Sequence, residues 1–90
     1  MARKSKSEVI LTNEEKISKG VASESLLKSP VFLEVFDKLE DQFVSQWMSS
    51  QDDDTSKRER LFLSLKVLSE IRTRLESNVT SKILAERETR

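Results

Sequence analysis

Two long amphipathic segments separated by a short acidic turn constrain the fold more than any other feature of this chain. The first segment covers residues 29–50, the second covers residues 56–79, and three consecutive aspartates lie between them. In both segments apolar residues recur at the spacing of one face of an α-helix. Because helices joined by so short a turn pack side by side, the sequence predicts an all-α fold built on an antiparallel helical hairpin.

Ser29 and Pro30 mark the start of the first long helix. Proline disfavours helical geometry at the residue before it and suits the first turn of a new helix, with Ser29 as N-cap. The stripe that follows advances in steps of 4, 3, 4 and 4 and consists of Phe32, Phe36, Leu39, Phe43 and Trp47. Flanking apolar residues make it wider than the seam of a dimeric coiled coil. We therefore predict that it serves both as hairpin core and as a contact with another protein, the interface residues being Phe32, Phe36, Phe43, Trp47, Leu65 and Leu68.

The second long helix carries an apolar stripe with one charged residue in it. The stripe consists of Leu61, Leu65, Leu68, Leu75 and Val79, and Arg72 occupies the position missing between Leu68 and Leu75. An arginine in such a place commonly buries its stem and keeps its charge at the edge, which is the favoured interpretation. The alternative is an ion pair with an acidic residue of the first long helix. Ser56 and Glu59 have the spacing of a capping box at the start of this helix.

The N-terminal third predicts a shorter, weaker helix preceded by a separate arm. Thr12 and Glu15 form a capping-box pattern, and the helix runs from there toward residue 28. Gly20 lowers its intrinsic stability, and two short helices with a break near this residue are the alternative. Residues 1–11 form a basic arm ending in a short apolar anchor, and residues 12–90 form a single helical domain.

Composition excludes most catalytic chemistry. The chain has no cysteine, no histidine and a single glycine, so disulfides, histidine-dependent triads and glycine-rich phosphate loops are ruled out. The three aspartates do not form an EF-hand, because Leu63 stands where that loop needs its glutamate. We predict no catalytic residue, no cofactor, no metal and no small-molecule substrate. Without an apolar run of membrane-spanning length or a signal-peptide core, the expected location is intracellular.

Charge is balanced overall but segregated along the chain. Residues 29–56 contain one basic and seven acidic residues, whereas residues 57–90 contain nine basic and five acidic residues. This segregation favours closure of the hairpin, although ordinary solvated faces explain it equally well. The basic residues of the arm, Arg3, Lys4 and Lys6, are candidate nucleic-acid contacts. A pI near 6.3 and the absence of aromatic residues among them favour ordinary solvated charge instead.

Three short stretches, residues 27–32, 54–61 and 71–76, and the tryptophan at position 47 lie within roughly residues 26–86. Together they resemble small uncharacterised helical proteins of tailed bacteriophages, which tend to be encoded among packaging and virion-structure genes, and this resemblance implies a location in the virion or the host cytoplasm. It implies a non-enzymatic phage assembly protein, either a homo-oligomer or a protein docked on a larger assembly as a virion or head-tail component. One alternative is a DNA-packaging subunit of the small-terminase type that binds DNA through the basic arm. Another is a small helical regulator that binds a host protein.

Overall fold

The computed structural model of the protein describes residues 11–89, which form three α-helices and no strand. Helix α1 comprises Asn13–Leu27, α2 comprises Pro30–Ser49 and α3 comprises Thr55–Glu88. The predicted all-α class is therefore confirmed. The basic arm, with Arg3, Lys4 and Lys6, lies outside the described residues.

Helices α1 and α2 follow one another along α3, and both run antiparallel to it. Gly20 of α1 lies against Lys82 of α3, and Ser23 is hydrogen-bonded to Asn78. Farther along the chain, α2 reaches the first half of α3, where Trp47 meets Arg58. Since later residues of α1 and α2 meet earlier residues of α3, the fold is a long hairpin with one arm interrupted at residues 28–29.

Two of the three predicted N-terminal helix caps are present in the structure. The Thr12 hydroxyl accepts a hydrogen bond from the Glu15 amide at 3.1 Å, and the Glu15 carboxylate accepts one from the Thr12 amide at 2.9 Å. The Ser29 hydroxyl accepts from the Phe32 amide at 3.3 Å. Both of these caps are as predicted. The capping box predicted at Ser56 is wrong, because the N-cap of α3 is Asp54, two residues earlier, and its side chain makes no capping hydrogen bond.

Helix α3 extends beyond the predicted boundary at residue 79. It continues to Glu88 because α1 packs along its C-terminal half, where Ala85 is only 1 % exposed. The alternative of two short helices with a break near Gly20 is wrong, since α1 is continuous from Asn13 to Leu27. Its glycine lies at the point of closest approach to α3, where a larger residue would collide with that helix.

The core of the described residues is small and lies along α3. Its buried apolar side chains are Phe36 of α2 and Leu61, Leu68 and Ala85 of α3. Phe36 also packs against Phe32, with ring centroids 5.0 Å apart. Within residues 11–89, no helix is both long enough and apolar enough to cross a membrane.

Candidate interaction surface

The seam between α1 and α3 is closely packed and contains two polar side-chain contacts. The Asn78 side-chain amide donates to the Ser23 hydroxyl at 2.9 Å, and the buried Ser23 is 4 % exposed. One turn away, the Lys82 ammonium donates to a Glu24 carboxylate oxygen at 3.0 Å. Gly20 allows the two backbones to approach, because a Cβ there would lie 2.9 Å from the carbonyl oxygen of Asn78. Apolar residues of α1 contribute less to this seam, since Val21 and Leu26 are 54 % and 44 % exposed.

The Glu24–Lys82 contact favours the charged form of both groups. The hydrogen bond from Lys82 lowers the pKa of Glu24 below its ordinary 4.5, and Lys28 lowers this pKa further. The same hydrogen bond raises the pKa of Lys82 above 10.5. At the start of α1, the backbone amide of Thr12, and then its hydroxyl, lower the pKa of Glu15. Protonation of Glu24 at acid pH should therefore weaken the contact of α1 with α3, and protonation of Glu15 should weaken the N-terminal cap of α1.

We expect the packing of α1 against α3 to become less stable at both low and high pH. A lowered carboxylate pKa contributes stability that is present above pH 4.5 and lost as the pH falls through the lowered value. A raised ammonium pKa contributes stability that is present below pH 10.5 and lost as the pH rises through the raised value. Amide hydrogen exchange measured from pH 7 down to pH 3 reports the opening of α1. On acidification this opening should increase less in Glu24→Gln than in the wild type. At neutral pH the double variant Glu24→Gln/Lys82→Gln should lose about as much protection of α1 as either single variant. Additive losses of protection would contradict the pairing.

Arg72 contacts acidic residues of α2, as the alternative interpretation predicts, and its side chain remains partly exposed, as the favoured interpretation predicts. Its guanidinium lies 3.8 Å from carboxylate oxygens of both Asp37 and Glu40. It also lies 5.3 Å from the centre of the Phe36 ring. Spacing along α3 identified the position of Arg72 but not its partners, which are brought to it by the register of α2. Arg72 thus links the buried aromatic residue to the acidic face of α2.

Trp47 is covered by an arginine from α3. The Arg58 guanidinium carbon lies 3.9 Å from the ring centre, and its Nη1 donates to a carboxylate oxygen of Asp52 at 3.1 Å. Trp47 remains 38 % exposed. This cluster closes the hairpin at its turn and places the single tryptophan where its fluorescence reports on that closure.

Replacing Arg58 should loosen the turn. We expect Arg58→Ala to lower the free energy of unfolding by about 1 kcal/mol, as for a partly exposed cation–π contact, and to shift Trp47 emission to longer wavelength. Urea unfolding followed by tryptophan fluorescence measures both effects. Arg60→Ala is the matched control, because Arg60 is an exposed arginine two residues along the same helix. Equal behaviour of the two variants would contradict a role for Arg58 in holding Trp47.

The hairpin itself covers much of the predicted interface. Phe36 and Leu68 are buried within the single chain, while Phe32, Phe43 and Leu65 are half-buried. Trp47 alone among the predicted interface residues is classed as exposed. The stripe is thus chiefly hairpin core, and its contact with another protein remains a prediction.

A second set of apolar residues is more exposed than the aromatic stripe. The contacts described above show on which side of the hairpin this set lies. Glu40 and Trp47, seven residues apart, lie on one edge of α2 and meet arginines fourteen residues apart on α3. At 100° per residue, the opposite edge of each helix carries further exposed apolar residues, and both of these edges lie on the second side of the hairpin. We call this surface the open flank; it consists of Val31, Val35, Leu63, Val67 and Ile71, which are 42–68 % exposed.

Sequence reasoning missed the open flank because it gave most weight to the stripe that forms the core. The available signal was the spacing of Leu63, Val67 and Ile71 at successive steps of four. Spacing alone does not show which edge of α3 adjoins which edge of α2, and the antiparallel packing supplies that information. Within residues 11–89, no group of three or more candidate ligand side chains is arranged to hold a metal ion.

Comparison with known proteins found no matching protein family, no similar curated protein and no similar solved structure.

Proposed function

We propose that this protein is a non-enzymatic helical assembly component that acts by binding other protein subunits. The observation that carries the proposal is the imbalance between buried and exposed apolar side chains. In residues 11–89, four apolar side chains are buried, whereas thirteen large ones are at least 38 % exposed. Exposed apolar residues are ordinary when scattered, but contiguous patches mark interaction sites. The open flank gathers five of them on one side of the hairpin.

The setting we propose is the assembly of a tailed-bacteriophage particle, with a virion or head-tail component as the first role. Support for this setting is the resemblance of residues 26–86 to small phage proteins. A helical subunit with a small core of its own is also suited to stabilisation by neighbours, because a chain of this size buries only about 60–65 % of its unfolded surface. Binding to an assembly removes more apolar surface from water.

Quantitative mass spectrometry of purified particles tests this role. We expect the protein to copurify with mature particles or with assembly intermediates, in a fixed ratio to the major capsid protein. Washing in high salt should leave it bound, because apolar contacts do not weaken as surface ion pairs do. Its absence from every particle form, despite its presence in the infected cell, would contradict a structural role.

Two other outcomes would redirect the proposal. DNA binding that falls steeply with salt, and that is lost on replacing Arg3, Lys4 and Lys6 by alanine, would favour a packaging subunit of the small-terminase type. Stoichiometric binding to a single host protein, together with absence from particles, would favour a regulator. Each result differs from the fixed particle ratio expected of a virion component.

A further inference from the structure

We propose that the packing of α1 determines the length of α3. When α1 leaves the seam, α3 ends near Glu76 and residues 77–88 lose their helical structure, so α1 and the end of α3 gain or lose order together. This inference does not depend on the proposed assembly role. It rests on the low helix propensity of one stretch of α3, on the contacts of α1 with that stretch, and on the small size of the residues that α1 buries.

One stretch of α3 consists entirely of weak helix formers. It is Ser77, Asn78, Val79, Thr80 and Ser81. These side chains are β-branched or compete with the backbone for hydrogen bonds, so each has a lower helix propensity than alanine or leucine. The Thr80 hydroxyl donates to the carbonyl oxygen of Glu76 at 3.3 Å, a contact with the preceding turn that slightly destabilises helices. Elsewhere in α3, no more than two weak helix formers are consecutive.

Helix α1 contacts α3 within this stretch and directly after it. The Asn78 side-chain amide donates to the buried Ser23 hydroxyl at 2.9 Å, and the Lys82 ammonium donates to a Glu24 carboxylate oxygen at 3.0 Å. A Cβ at Gly20 would lie 2.9 Å from the Asn78 carbonyl oxygen, so the two helices are close together here. Because most helical stability in proteins comes from tertiary packing, these contacts compensate for the low propensity of residues 77–81.

Helix α2 supports the preceding half of α3. Its side-chain contacts described above reach α3 at Arg58 and Arg72, and α1 packs chiefly on α3 and only slightly on α2. Release of α1 therefore leaves this half supported. Helical structure would have to propagate from it through residues 77–81, which opposes propagation, into a segment too short to be stable alone, since isolated helices below about 12–15 residues are marginal in water.

Helix α1 is suited to open before the rest of the molecule unfolds. Its buried residues are Gly20 and Ser23, neither of which has a large apolar side chain. The largest buried side chain of the core, Phe36, lies in the half supported by α2. Regions with few buried apolar contacts open at a lower free energy than the core. By linkage, a ligand that prefers the released form of α1 also favours disorder of residues 77–88.

Native-state hydrogen exchange of the wild-type chain tests whether the two segments open together. The amides of residues 81–85 donate to the carbonyl groups of residues 77–81, so their protection reports the helical state of the weak stretch. At low urea concentration, we expect these amides and those of residues 17–27 to have the same opening free energy and the same dependence on urea. Their protection should be at least about tenfold lower than that of residues 61–72. Different openings for the two segments, or one opening for the whole chain, would overturn the proposal.

Gly20→Leu tests the dependence of α3 on α1, because a side chain at residue 20 meets the backbone of Asn78 and the Cβ of Lys82. We expect residues 81–85 to lose protection together with α1. Far-ultraviolet circular dichroism should lose the helical signal of residues 77–88 in addition to that of the fifteen residues of α1. Wild-type protection of residues 81–85 after α1 has opened would overturn the proposal.

Raising the helix propensity of the weak stretch should reverse the effect on α3 alone. In the Gly20→Leu chain, we expect Ser77→Ala/Thr80→Ala/Ser81→Ala to restore the helical signal of residues 77–88 without restoring protection of α1. All three residues are exposed. Ser69→Ala/Thr73→Ala is the matched control, since both residues are exposed weak helix formers earlier in α3, and it should restore neither. Equal recovery with both sets of substitutions would contradict a specific role for residues 77–81.

Discussion

Phe36→Ala is expected to be the most destabilising single truncation in α2, lowering the free energy of unfolding by about 3–5 kcal/mol. Phe36 is 6 % exposed and is the only buried residue of α2. Its ring contacts Phe32 and lies beneath the Arg72 guanidinium, which is held by Asp37 and Glu40. Truncation therefore leaves a cavity and also removes the surface that helps to position Arg72. Urea unfolding followed by far-ultraviolet circular dichroism measures the loss.

Two further variants separate this effect from a general intolerance of α2 to substitution. Phe36→Leu keeps most of the volume and should cost no more than about 1.5 kcal/mol. Met48→Ala truncates a side chain that is 75 % exposed and should change stability by no more than about 0.5 kcal/mol. If Phe36→Ala and Met48→Ala lost the same free energy, α2 would not be anchored on α3 through Phe36.

The same reasoning lowers the expected cost of truncating Trp47. From the stripe alone, Trp47→Ala and Phe43→Ala are predicted to cost as much as loss of a buried aromatic residue. The structure leaves Trp47 38 % exposed beneath Arg58 and Phe43 half-buried. Since the transfer and cavity terms scale with the buried part of the side chain, we expect both losses to be smaller than that of Phe36→Ala. The three unfolding curves can be compared directly.

Regular signals in the sequence were sufficient to predict α2 and the start of α1. The phenylalanine stripe has the helical period, Pro30 fixes a boundary, and Thr12 with Glu15 satisfies free backbone groups at a helix start. Each of these is a local property of the chain, so it can be inferred without knowing what packs against what. The hairpin turn after Ser49 follows in the same way.

The packing of α1 on α3 was not predicted, because its contacts have no apolar period. Ser23, Glu24, Asn78 and Lys82 are polar residues that look like solvent-facing positions in the sequence. They become partners only when the two helices meet in one register. The open flank was missed for a related reason, because its two halves come from residues 31–35 and 63–71 and lie on the same side of the molecule only after the hairpin has closed.

Gly20→Leu is expected to detach α1 from α3, with a loss of about 3 kcal/mol in the free energy of unfolding. Glycine inside a helix normally costs up to about 1 kcal/mol relative to alanine, so substitution at an open site would stabilise α1. Here the sign should reverse. A Cβ at residue 20 would collide with the Cβ of Lys82 and lie 2.9 Å from the Asn78 carbonyl oxygen, neither of which can swing away.

Gly20→Ala tests whether even a small side chain at residue 20 destabilises the protein. Ser25→Leu is the matched control for adding a large side chain to α1. The alanine should destabilise by about 1–2 kcal/mol, because overpacking outweighs its gain in helix propensity. Ser25 is exposed on the same helix, so leucine there should change stability by no more than about 0.5 kcal/mol. Hydrogen exchange should show faster opening of α1 in both Gly20 variants, while the amides around Phe36 keep their protection. If Gly20→Ala were more stable than the wild type, α1 would not be seated against Asn78 and Lys82, and the C-terminal half of α3 would be exposed.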